Sequence, residues 1–149
     1  MEQSLIIFKP DALQRNLVGE IIRRFEQKGL KIIGLKMLSL DDTVLDEHYA
    51  HHKDKPFFAD LKNFMKSYPV IVMALQGPDI VDAIRLIVGS TNAKEADAGT
   101  IRGDFGMSNL NLVHASDSAK TGKAEIKRFF KSDELFEYDK ITDVMIYEE

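Results

Sequence analysis

His114 follows Asn111-Leu112-Val113 and precedes Ala115-Ser116-Asp117-Ser118. An imidazole between apolar residues and a run of small polar ones admits two readings. It is a packed histidine at the end of a strand, or a nucleophile left accessible by the small side chains of Ala115 and Ser116. Glu125 favours the second. It lies seven residues past Ser118 and shares a helical side with Phe129, so it leans inward. A carboxylate there would hold one ring nitrogen as a donor and leave the other free to attack. The alternative for Glu125 is a surface glutamate paired with a lysine.

Three cations invite a second question. Lys9 ends an apolar run, where packing explains a charge poorly and an anionic ligand explains it well. Arg102 stands in GTIRGDF (99–105), either reaching over close-packed backbone or paired with Asp104 in a turn. Arg85 reads as an ordinary solvent-facing side chain or as a third positive charge. Together the three resemble a phosphate clamp, if the fold brings them together. The remaining histidines, His48, His51 and His52, cluster on one short segment. A solvated helix face is expected there rather than a metal site, since no acidic group accompanies them at a clear ligand spacing. No Walker motif and no G-x-G-x-x-G after a strand occur, so phosphoryl transfer here would not use a P-loop.

These residues need elements to position them. SLIIF (4–8) reads as a buried strand stopped by Pro10. Leu17, Val18, Ile21, Ile22 and Phe25 repeat at helical spacing, with Gly29 as the stop. LKIIGLKMLSL (30–40) is a second strand. Residues 43–51 form a short helix capped by Asp41 or Asp42. Pro56 opens a helix over 57–67. PVIVMALQG (69–77) is a central strand, and PDIVDAIRLIVG (78–89) a helix with Ile80, Val81, Ile84 and Ile87 inward. Residues 90–111 show no sustained period, and a loop that long is usually functional. NLVHA (111–115) is a fourth strand, and 118–130 a helix capped by Ser118. The tail DVMIYEE (143–149) is expected to add an edge strand. The order β-α-β-α-α-β-α-loop-β-α suits an α+β, ferredoxin-like sandwich: a four-stranded antiparallel sheet with its helices packed on one face.

Bulk properties narrow the function. One domain over 1–149 fits the length. A hydrophobic share of 44% and a charged share of 30% suit a soluble globular protein. The net charge of −4 and the lack of a basic tract argue against nonspecific nucleic-acid binding. There is no cysteine, hence no disulfide or thiolate metal site. No signal peptide or membrane-length apolar run is visible, so a cytoplasmic location is expected.

Several separated blocks, in order, make the chain similar to the nucleoside diphosphate kinases over nearly its whole length. They are FKPDALQRNLVGEIIRRFEQKGLKIIGLKM, HKDKPFF, GTIRGDF and NLVHASDS. The resemblance implies a ferredoxin-like fold and transfer of the terminal phosphate of a nucleoside triphosphate to a nucleoside diphosphate through a phosphohistidine. It implies His114 as nucleophile, Glu125 as orienter of its ring, and Lys9 and Asn111 at the sugar 3′-hydroxyl, Lys9 also near the phosphate. It places Tyr49 beside the histidine, and Arg85, Thr91 and Arg102 on the phosphates. Phe57 would stack on the base with Leu61 beside it, and Ser116 would support the histidine. Mg2+ would ride on the nucleotide phosphates with no direct protein ligand. The resemblance also implies a homo-tetramer or homo-hexamer, with no membrane and no specific nucleic acid as partner.

The chain departs from the family pattern in three places. Ala115 stands where most relatives have glycine, the segment from Arg102 to His114 is one residue shorter, and TNAKEADAG lacks the prolines common there. Two other functions compete. An RNA-binding module on a similar fold would need an aromatic RNA-contact motif that the chain lacks. An inactive family member acting as a scaffold is disfavoured because His114, Glu125, Lys9, Arg102 and Asn111 are all present.

Overall fold

The computed structural model describes residues 1–147. Four strands, β1 (Glu2–Phe8), β2 (Lys31–Leu38), β3 (Val70–Gly77) and β4 (Val113–Ala115), form one sheet in the order β2-β3-β1-β4. All three pairings are antiparallel. The longer helices are α2 (Val18–Lys28), α3 (Asp42–His48), α4 (Phe58–Lys66), α5 (Ile80–Val88) and α7 (Ala119–Phe129). Shorter ones are α1 (Pro10–Gln14), α6 (Ile101–Phe105) and α8 (Asp143–Ile146). The ferredoxin-like, four-stranded antiparallel reading of the sequence stands.

The helices pack on both faces of the sheet, not on one as expected. Ile6, Phe8, Met73 and Leu75 meet Ile21 and Phe25 of α2 and Ile80, Ile84 and Val88 of α5. Leu5, Ile7, Val72 and Ala74 meet Leu45 of α3, Met65 of α4, and Ile126 and Phe129 of α7. The reason lies in the central strands. β1 and β3 are apolar at consecutive positions, so both faces must be covered.

Local signals set most boundaries. Gly29 ends α2 at φ +99°. Asp41 caps α3 by accepting from the Val44 N–H, and Ser118 caps α7 by accepting from Thr121. The segment 90–111 holds structure that periodicity did not show, a 3-10 turn at Ala93–Glu95 and α6, capped by Thr100. The tail is a second correction. Asp143–Ile146 is a helical turn rather than an edge strand, anchored by an ion pair between Asp143 and the buried Lys31 at 3.2 Å. Glu148 and Glu149, the last residues of that expected strand, lie outside the described residues.

Candidate active site

His114 sits on β4 opposite Ile7 of β1, on the face that α7 covers. Helix α7 comes close because Gly122 has no side chain. A Cβ there would lie 2.3 Å from the Gln3 carbonyl oxygen. One turn further on, Glu125 is buried and reaches the strand. Its Oε2 lies 2.8 Å from His114 Nε2. The carboxylate faces Nε2, and Nδ1 is the other ring nitrogen. Burial works against the Glu125 charge, but His114, Ser116 and His48 outweigh it and hold the carboxyl below its ordinary value. Ser116 is buried alongside, its Oγ accepting from the Leu5 N–H at 2.9 Å.

His48 corrects the expected solvated face. It is buried at the end of α3, its ring edge-on to His114 with centroids 4.7 Å apart. It also packs edge-on against Phe129 at 5.3 Å. Arg128 Nη1 lies 2.9 Å from His48 Nδ1. Burial, the neighbouring His114 and Arg128 push its pKa down to about 3, Glu125 opposing, so the ring is neutral and accepts from the guanidinium. The signal was present in the sequence, because Leu45, His48 and Tyr49 share one helical side. His51 and His52 follow in a 3-10 turn, with rings 3.9 Å apart. Tyr49 is buried, and burial together with Glu125 raises its hydroxyl pKa.

The cations do converge. Lys9, Arg85 and Arg102 line one cleft with Tyr49, Phe57, Leu61, Thr91, Asn111, His114, Ser116 and Glu125. Lys9 Nζ donates to Asn111 Oδ1 at 2.7 Å, and Asn111 Nδ2 donates to the Thr91 carbonyl at 3.0 Å. Burial and the charge of Arg102 lower the Lys9 pKa to about 8, with Asp11 acting in the opposite sense. A cation destabilised in this way is poised to receive an anion.

Arg102 does not pair with Asp104, which bonds Arg24 at 2.7 Å instead. Its guanidinium donates to the carbonyls of Asn111 (3.1 Å), Gly89 (3.3 Å) and Val113 (2.6 Å). Two of its N–H groups remain for a ligand. Arg85 and Thr91 are exposed, and Arg85 contacts the Asp117 carbonyl at 3.4 Å. Phe57 is 47% exposed at the rim, with Leu61 half-buried behind it. Besides His48, sequence reasoning missed Asp11 and Arg128, whose partners come from distant segments.

A family model described as nucleoside diphosphate kinase matches residues 2–135. The chain belongs to the nucleoside diphosphate kinase family. It is accordingly a phosphotransferase that moves the terminal phosphate of a nucleoside triphosphate to a nucleoside diphosphate. It is 52% identical to the enzyme of that name from Parabacteroides distasonis, covering 93% of this chain and 92% of the relative. With the Methanothermobacter thermautotrophicus enzyme it shares 49% identity over the full length of both. Among solved structures it is similar to the halophilic Halobacterium salinarum enzyme in complex with CDP. The TM-score is 0.96 and the identity 42%, over 99% of each chain.

Proposed function

We propose that His114 carries the phosphate between the two nucleotides, with Nδ1 as the attacking atom. The observation that supports this is the 2.8 Å contact between Nε2 and the buried Glu125. That proximity supports a proton on Nε2 and a free lone pair on Nδ1. In the first half-reaction Nδ1 bonds to the terminal phosphorus of the triphosphate. The bond from that phosphorus to the bridging oxygen breaks, and the diphosphate leaves with the electron pair. In the second, a terminal oxygen of the acceptor diphosphate attacks the same phosphorus and the N–P bond breaks.

The shared cleft supports the remaining assignments, which the family resemblance implies. Lys9 and Asn111 take the sugar 3′-hydroxyl, with Lys9 reaching the transferred phosphate. Arg85, Thr91 and the two remaining N–H groups of Arg102 neutralise the phosphates, and Tyr49 packs beside the histidine. Each well-aimed donor is worth about 3–4 kcal/mol in the transition state. Phe57 stacks on the base without reading its edge, with Leu61 alongside, which suits broad base tolerance.

Mg2+ fits this site as part of the nucleotide. It would supply charge neutralisation to the phosphates, which Arg85, Thr91 and Arg102 would hold. Among the described residues the convergent His, Asp and Glu donors are His48, His114 and Glu125, a nitrogen-rich set beside Arg128 that does not suit a hard cation. The chain assembles as a homo-tetramer or homo-hexamer. The open edge of β2, with Leu35 and Met37 exposed, supports self-association, and light scattering sizes the assembly.

Incubation with γ-labelled ATP and Mg2+ tests the histidine assignment. The expected product is an acid-labile, base-stable protein label that chases into added GDP and is absent in His114→Ala. Undiminished labelling of His114→Ala would refute it.

A further inference from the structure

The three residues before His114 form a strained turn, and the assignments above use the side chain of Asn111 but not the backbone of the turn. Leu112 has φ +73°, a region that L side chains rarely adopt. The Val113 N–H donates to the Asn111 carbonyl at 2.9 Å, closing a γ-turn around Leu112. Leu112 and Val113 are fully buried. A buried turn of this kind persists only where its surroundings over-determine it.

They do so here from two sides. The Leu112 N–H donates to Asp11 Oδ2 at 3.0 Å, and the Leu112 carbonyl accepts from the Lys9 N–H at 2.9 Å. Arg102 holds the carbonyls on either side of Leu112. Asp11 stands in the first turn of α1, which Pro10 starts one residue after Lys9 has bonded the Leu112 carbonyl at the end of β1. It is buried, and its second oxygen, Oδ1, has no hydrogen-bond partner among the described residues. The carboxylate thus spends one acceptor on the one N–H that a positive-φ Leu112 presents to it.

The turn separates two parts of the cleft. Asn111, on its near side, carries the hydrogen bonds to Lys9 Nζ and the Thr91 carbonyl. Val113, on its far side, begins the strand that holds His114. If Leu112 relaxed to negative φ, Asn111 would swing relative to the imidazole while β4 stayed paired with β1.

We infer that Asp11 is a positioning residue, whose carboxylate oxygen locks the Leu112 turn and so sets the Lys9–Asn111 pair at its working distance from His114. This rests on the reading of His114, Lys9 and Asn111 given above. Hydrogen-bond acceptance, rather than charge, is what the turn requires of Asp11.

Asp11→Ala and Asp11→Asn test the inference, each compared with the unaltered protein on acceptor diphosphates with and without a 3′-hydroxyl. Asp11→Ala is expected to lose about 100-fold in kcat/KM on 3′-hydroxyl acceptors, the scale of an ångström-sized misplacement. Its preference for 3′-hydroxyl over 3′-deoxy acceptors should fall towards unity. Phosphorylation of His114 by phosphoramidate, a donor with no sugar, should be unchanged. Asp11→Asn retains an acceptor and should keep kcat/KM within about threefold. Three results would overturn the inference: wild-type turnover in Asp11→Ala, an unchanged 3′-hydroxyl preference in a slowed variant, or a loss as large in folded Asp11→Asn. If Asp11→Ala does not fold, the Asp11→Asn outcome decides alone. Failure of the underlying reading shows separately, as labelling of His114→Ala.

Discussion

Replacing Lys9 with methionine should weaken catalysis and yet change the stability of the ligand-free protein little at pH 7. The side chain is partly buried, and the pKa displacement from 10.5 to about 8 measures what its charge costs the fold. At about 1.4 kcal/mol per pH unit this is at most about 3 kcal/mol, a ceiling because some water still reaches the group. Methionine removes that cost and keeps the packing. It also deprives Asn111 Oδ1 of its 2.7 Å donor. Leaving that acceptor unpaired costs about 1–3 kcal/mol, so the two effects nearly offset at pH 7. On the role proposed for Lys9, the transition state would lose a donor to the transferred phosphate, worth about 3–4 kcal/mol, or hundreds-fold in turnover.

The pH dependence has a definite sign. Between pH 8 and 10.5 the unfolded chain keeps the Lys9 proton while the native protein has lost it. The stability of the wild type relative to Lys9→Met therefore rises with pH across that window. Urea denaturation of both proteins, at one protein concentration and at pH 7 and 10.5, reads the difference directly, since other titrations cancel. A wild-type advantage that is independent of pH, or a loss of more than about 3 kcal/mol in Lys9→Met at pH 7, would refute the reasoning.

Three further outcomes are expected. Glu125→Gln keeps the size of the side chain but removes the charge beside Nε2, and should slow His114 phosphorylation by about 10–100-fold in single-turnover assays. Phe57→Ala should raise KM by an amount corresponding to about 1–3 kcal/mol, similarly for purine and pyrimidine nucleotides. Because burial and His114 hold the His48 pKa at about 3, nitrogen NMR should show one imidazole that stays neutral throughout titration from pH 8 to 5.

Much of the site was legible because its signals are local. His114 was marked by its place at a strand end before small residues, and Glu125 by helical spacing from Phe129. Lys9 was marked by a charge where packing wanted none. Caps at Asp41, Ser118 and Gly29 lay in single residues whose preferences hold in any fold. Residues 90–111 were less legible, because short pieces such as α6 complete too little of a period to register. The covering of both sheet faces was misread, although the consecutive apolar residues of β1 and β3 already required it.

The sequence by itself determined the strands, the main helices, their order and the residue types able to do this chemistry. Those follow from side-chain periodicity and from backbone preferences a few residues long. Only the tertiary structure decided which imidazole nitrogen meets Glu125, that Arg102 grips carbonyls rather than Asp104, and that His48 faces His114 from within the core. It also brought Asp11 to Leu112 across about a hundred residues of chain. Such contacts depend on how separate elements dock. A side chain's partner across the sheet is set by the packing of the whole and leaves no periodic trace in the chain.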